Sequence, residues 1–207
     1  MKHDGDNLYT FPLTSTGYVR RDAKKAMSQV NYRFVKEQLP DYEIYKMLRE
    51  AFRGGNTHAN RYYTNYTLHN VHSADRSSSY PDVMCNCKFP ISEFYRLGDI
   101  GYDEVVKMIG KRQKACLMRV AITGLHLTRI DWGCPYLSLS KCRHIENALE
   151  DNGRILSADY LETTVTDIDL KIILDEYSFT DIKFYDVATA RYGYLPEQLI
   201  KTICQYY

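Results

Sequence analysis

The chain has 207 residues, a formal net charge of +1, 44% hydrophobic and 26% charged residues: a globular protein of ordinary size, too polar to be embedded in a bilayer. No apolar run nears the roughly 18 residues of a spanning helix, and the start MKHDGDNLYT lacks a signal region, so the expected setting is a reducing cytoplasm with no membrane partner. The sign of charge is uneven: residues 1–61 carry eleven Lys/Arg against seven Asp/Glu, and residues 146–186 three against eleven. The first stretch suits a polyanion and the second repels one, unless both are simply solvated faces.

In chain order, hydroxyl-rich TSTG precedes a segment free of turn formers, which predicts a helix over 22–39 stopped by Pro40. DYEIYKMLREAF places Ile44, Met47, Leu48 and Phe52 at helical spacing before Gly54-Gly55. RYYTNYTLHNVHSAD is dense in aromatic and β-branched residues and reads as a hairpin whose second strand ends near Asp75. Pro81 suits the first turn of a short helix, YDEVVKMIGKRQ reads as another, and KACLMRVAITGLHL as a strand buried on both faces. After a loop around DWGCPYLSLSKC, GRILSAD and LETTVT predict a hairpin, TDIDLKIILDEY a helix capped by Thr166, DIKFYDVATARYGY a strand and PEQLIKTICQYY a final helix. The fold class is α+β with an antiparallel sheet flanked by helices. The six cysteines, Cys85, Cys87, Cys116, Cys134, Cys142 and Cys204, show no CxxC pair and read as packing residues; the alternative is a metal group of Cys85, Cys87 and His72.

Chemistry concentrates in two short stretches. In Asp75-Arg76-Ser77-Ser78-Ser79-Tyr80-Pro81, a carboxylate precedes small residues and a helix start, a combination that holds a divalent cation beside triphosphate oxygens. The alternative is a capped polar turn. Some twenty residues upstream, Phe52-Arg53-Gly54-Gly55 joins a planar phosphate donor to two glycines that permit close backbone approach; alone, it also reads as a helix C-cap.

Together these residues resemble the family B DNA polymerases of bacteriophages and mobile elements, particularly the protein-primed subgroup. Phe52-Arg53-Gly54-Gly55 is similar to that subgroup's aromatic-x-Gly-Gly motif, which contacts the template strand; Asp75, Ser78, Tyr80 and Pro81 match the first polymerase motif, with Ser79 where leucine is usual. The resemblance implies that catalytic Asp75 and the carbonyl of Arg76 bind Mg2+ in a two-ion site, that Ser78 and Ser79 line the triphosphate site, that Tyr80 packs under the deoxyribose, and that Arg53, Gly54, Gly55 and Thr57 contact DNA. It also implies a partial polymerase palm in three segments. Residues 1–60 lead into the polymerase domain, 61–114 carry the first motif, and 115–207 continue the palm with an insertion that ends before the second motif.

The family's second motif, a lysine-bearing helix with Asn-Ser-x-Tyr-Gly, is not found beyond Tyr192-Gly193, nor is its third, an Asp-Thr-Asp hairpin that supplies the partner carboxylate, and Asp167 and Asp169 read as first-turn helix acids. The expected function is therefore a fragment of a DNA-directed DNA polymerase, a nucleotidyltransferase of the bacterial host cytoplasm acting on primer-template DNA and deoxynucleoside triphosphates. With one metal-binding carboxylate it is expected to be silent alone, completed by a second polymerase chain and served by a priming protein. The alternatives are a non-catalytic nucleic-acid-binding protein gripping a strand with basic residues and tyrosines, and a protein-docking scaffold using Asp167, Asp169, Asp175 and Glu176.

Overall fold

The computed structural model describes residues 7, 12, 14–28, 40–111, 113–128 and 134–206. It divides into two compact units, each drawing on more than one of the three sequence segments. One takes in the described part of Met1–Gln38 with Ala74–Ile91 and Gly193–Tyr207, the other Leu39–Ser73 with Ser92–Tyr192. The described α-helices are α1 (Ser15–Ser28), α2 (Tyr42–Ala51), α3 (Ser79–Asn86), α4 (Tyr102–Gly110), α5 (Asp167–Glu176) and α6 (Glu197–Tyr206). The strands are β1 (Phe89–Pro90), β2 (Tyr95–Gly98), β3 (Lys114–Leu127), β4 (Cys142–Glu146), β5 (Leu149–Asp151), β6 (Arg154–Thr166), β7 (Tyr177–Ser178) and β8 (Asp181–Gly193).

The larger unit is built around β3. It pairs antiparallel with β6 on one side (Leu117 opposite Thr166, His126 opposite Ser157) and with β8 on the other (Lys114 opposite Arg191, Thr123 opposite Asp181). Beyond β8's reach β7 takes over, with Leu127 opposite Tyr177. Outward from there, β4 and β5 pair with β6, and β2 with β8. Both faces of β3 are covered, which is why its sequence reads as a nearly continuous apolar run. Met118, Val120 and Ile122 pack with Val105 of α4 and Leu170 and Ile173 of α5, whereas Leu117 turns the other way to meet Ile44, Met47 and Ala51 of α2. At about 1.5–3 kcal/mol for each large apolar side chain removed from water, these two layers carry the unit. Helix α2 enters them in a fixed direction because Asp41 accepts the Ile44 amide at 3.0 Å; that bond, then Arg96, holds its carboxyl below the usual range.

Alternation along β3 changes at one residue. Met118, Val120 and Ile122 face the main core before Gly124, and Leu125 and Leu127 face it after. A strand with period two cannot do this without a kink, and Gly124 supplies one at φ +63°. A Cβ there would lie 2.4 Å from Thr180 Oγ1, on a loop whose Thr180 amide donates to the Thr123 carbonyl at 2.9 Å. The β5–β6 turn, by contrast, is an open hairpin with Asn152 at φ 50° and Gly153 at φ 75°, the mirror-image turn geometry that Asn-Gly favours.

In the smaller unit α6 packs against α1 and α3. Ile203 is buried, and Tyr206 donates its hydroxyl to Asp22 at 2.6 Å.

Several elements depart from the sequence expectations. Helix α1 begins at Ser15, earlier than predicted; the expected segment 29–39 lies outside the described residues. The hairpin expected over 61–75 is absent. A 3-10 turn spans Arg61–Tyr63, and Asn65 (φ 66°) and Asn70 (φ 56°) take left-handed conformations that interrupt an extended chain. Asp75 therefore does not stand at a strand end. The two halves GRILSAD and LETTVT form one strand, β6, because side chains on both parts of it share the core with β3.

Gly124→Ala is expected to lower stability by about 2–4 kcal/mol in urea unfolding, combining the left-handed penalty with the Thr180 clash. Gly153→Ala, strained but unobstructed, should cost about 1–2 kcal/mol.

Candidate functional site

Each sequence stretch singled out above lies within one unit. In the smaller unit, Ala74–Asp75–Arg76 run without regular structure and Asp75 is exposed. Ser78 adopts φ 51°, ψ 40° ahead of α3, and its side chain makes no cap bond; the first helical bond runs from the Asp82 amide to the Ser78 carbonyl at 2.9 Å. The amides of Ser79 and Tyr80 thus precede the helix ladder and point out of its positive end, the arrangement that receives anions. Tyr80 is 82% exposed. Arg76 pairs with Asp82, which also accepts the Asn86 side-chain amide at 2.7 Å, so the segment after Asp75 is folded back onto α3.

The larger unit holds Phe52-Arg53-Gly54-Gly55. Phe52 caps α2 in an extended conformation and is 69% exposed, and the chain continues without regular structure. The Arg53 side chain is only 12% exposed and points inward: Nη2 donates to Thr163 Oγ1 at 3.4 Å and to the Thr164 carbonyl at 3.3 Å, Nε stands 3.6 Å from Asp169 Oδ1, and the guanidinium lies 5.8 Å from the centre of the Tyr136 ring. Asp169 is itself held by the Thr166 amide and hydroxyl at 2.7 and 2.8 Å and by the Tyr136 hydroxyl. Burial, reinforced by Asp169, drives the Tyr136 phenol upward and keeps it a donor. On the far side of the glycines, Asn56 donates to Cys134 Sγ at 3.5 Å and the buried His58 ring lies 3.4 Å from Asp151. Gly54, Gly55 and Thr57 are exposed between these anchors, and apart from the flanking residues nothing lies within 4 Å of where a Cβ on either glycine would sit. The stretch presents open backbone on a fixed base.

The first-turn acids of α5 behave as the sequence suggested. Thr166 and Asp169 form a reciprocal capping box, and Asp167 accepts the Cys116 amide at 2.8 Å and the Tyr192 hydroxyl at 2.8 Å. Burial, and secondarily Asp167, pushes the Cys116 thiol up to about 12. Two of the four carboxylates invoked for a docking scaffold are therefore spent inside the unit. Among the described residues no group of three or more His, Cys, Asp or Glu is placed to hold a metal ion.

Sequence reasoning did not find the cluster around Arg119. Its guanidinium meets Asp186 at 2.6 Å and Glu50 at 3.4 Å, and Glu50 also accepts the Thr164 hydroxyl at 2.8 Å, tying α2 to β3, β6 and β8. A lone arginine in an apolar strand was the available signal.

No protein-family model matches the sequence, and no curated protein matches it. Solved structures do. Phi29 DNA polymerase complexed with primer-template DNA in the post-translocation binary complex shares 15% identity at a TM-score of 0.65, over 95% of this chain and 34% of that one. The same polymerase in its ternary complex with primer-template DNA and incoming nucleotide substrates shares 13% at 0.65, over 99% and 39%. At these identities the likeness is one of fold. The chain folds as part of a DNA polymerase does, and spans little more than a third of the chains it matches.

Arg53→Ala and Asp169→Asn are each expected to destabilise the larger unit by about 1–3 kcal/mol. A double-mutant cycle by chemical denaturation should give coupling of about 1 kcal/mol or more, where a solvated arginine would give near zero.

Proposed function

We propose that the chain is a fragment of a protein-primed family B DNA polymerase, the part that leads into the palm and carries its first motif, acting in the cytoplasm of a bacterial host. The observation that carries this reading is a coincidence of two independent signals: a polymerase-like fold over nearly the whole chain, and an Asp-x-x-Ser-x-Tyr-Pro string that lies on the lead into a helix N-terminus within it.

Asp75, with the Arg76 carbonyl beside it, would supply protein ligands to Mg2+, which when bound neutralises charge on the triphosphate. The amides at Ser79 and Tyr80 and the hydroxyls of Ser78 and Ser79 would receive phosphate oxygens. Tyr80 would offer its exposed ring to the deoxyribose, and the open Gly54-Gly55 backbone with Thr57 would approach the template strand. Arg53 supports this stretch from beneath; its inward guanidinium gives it an anchoring role in place of the direct phosphate contact read from sequence. The described residues provide one such carboxylate and not the pair that two ions need, so no transfer step is derived for this chain. A second polypeptide bearing the partner carboxylate and the lysine helix would complete it, and a priming protein remains part of the same reading.

A second reading, a non-catalytic nucleic-acid binder, is favoured by a different observation. Tyr62, Tyr63 and Tyr66 are exposed along a stretch without strands, as stacking platforms for single-stranded bases are.

With Mg2+ and a fluorescent deoxynucleoside triphosphate, Asp75→Asn should weaken binding tenfold or more, the loss of about 1.5–3 kcal/mol for a charge-assisted contact. Primer-template affinity should stay unchanged, and the chain alone should not extend a primer. Equal nucleotide affinity for the wild type and Asp75→Asn would remove the polymerase reading; salt-dependent strand binding that falls on Tyr63→Ala and Tyr66→Ala would then favour the binder.

A further inference from the structure

The cysteines read from sequence as packing residues are not equivalent in the fold. Cys85 stands on the last turn of α3 and Cys204 near the end of α6, and their Sγ atoms are 3.9 Å apart. Both belong to the smaller unit, where these helices pack together. We propose that Cys85 and Cys204 are a reversible thiol–disulfide site, closed by exchange with a small-molecule disulfide of the glutathione type.

Geometry supports closure. The two sulfurs, 3.9 Å apart, are already near van der Waals contact, and a disulfide brings them to roughly 2.05 Å. Access is ordered as well: Cys204 is exposed and Cys85 half-buried. The Cys204 thiolate attacks one sulfur of the small disulfide, forming a mixed disulfide and releasing one thiolate. The Cys85 thiolate then attacks the Cys204 sulfur, forming the protein disulfide and releasing the second thiolate. Two protein thiols are oxidised, one external disulfide is reduced to two thiols, and these take up the protons lost by the cysteines. Burial, then the Cys204 sulfur and Asp82, raises the Cys85 thiol pKa and makes it the slower, resolving partner. The remaining thiols lack this arrangement. Burial pushes Cys116 and Cys142 up to about 12 and about 11, and Cys134 meets an asparagine amide. Closure would fasten the helix that begins at Ser79-Tyr80 to α6. It does not depend on the polymerase reading.

The test equilibrates the full chain with reduced and oxidised glutathione, traps free thiols by alkylation and maps peptides by mass spectrometry without reduction. The expected product is one intramolecular Cys85–Cys204 peptide, with two of the six thiols lost and restored by dithiothreitol. Cys87→Ser should still form it, and Cys204→Ser should not. Recovery of Cys85 and Cys204 unlinked, in a sample where exposed Cys134 has become glutathionylated, would overturn the proposal. So would a dominant link through Cys87, or between an isotopically labelled copy and an unlabelled one.

Discussion

The buried meeting of Arg53 and Asp169 is the constraint on which the larger unit's outer architecture rests. One guanidinium touches a strand carbonyl, a threonine hydroxyl and the carboxylate that caps α5, so the end of α2, strand β6 and the start of α5 share one fixed point. Taking both charges from water is expensive, and the Thr166 and Tyr136 donors that converge on Asp169 are what make the pair tolerable there. Its gain is specificity of position: the Gly-Gly stretch that follows cannot drift without breaking it. Arg119 repeats the device on α2's other contact with the sheet, against Glu50 and Asp186.

Legibility in the sequence followed how many competing terms acted on each segment. For β3, a largely apolar stretch of fourteen residues broken only by Gly124 left one solution, and the strand runs where the pattern put it. Helix α5 was equally plain because Thr166 reads as its cap ahead of two first-turn acids. The 61–75 stretch was misread. Its tyrosines and threonines have strand propensity, but propensity there meets no core to pack against, and two asparagines settle into left-handed backbone. In β6 the two predicted strands are separated by Tyr160 alone, and their junction lies at the level where β3 also resets its alternation, which only the partner strand reveals.

The same division holds for the site. At Asp75–Pro81 the helix start was readable because Pro81 acts locally, and α3 begins at Ser79, two residues before it. Arg53's direction was not, since the partners that draw it inward lie more than a hundred residues away. Charge counting misled in a related way: the acidic 146–186 stretch contains carboxylates that face amides and phenols of their own unit.

The smaller unit is assembled from separate passages of chain, with α3 lying between α1 and α6 in sequence but packed on α6 in space. A ribosome delivers these passages in order. The contacts that α6 makes with α1 and α3 become available only once Glu197–Tyr206 has emerged, so among the described residues this packing is the last that synthesis permits.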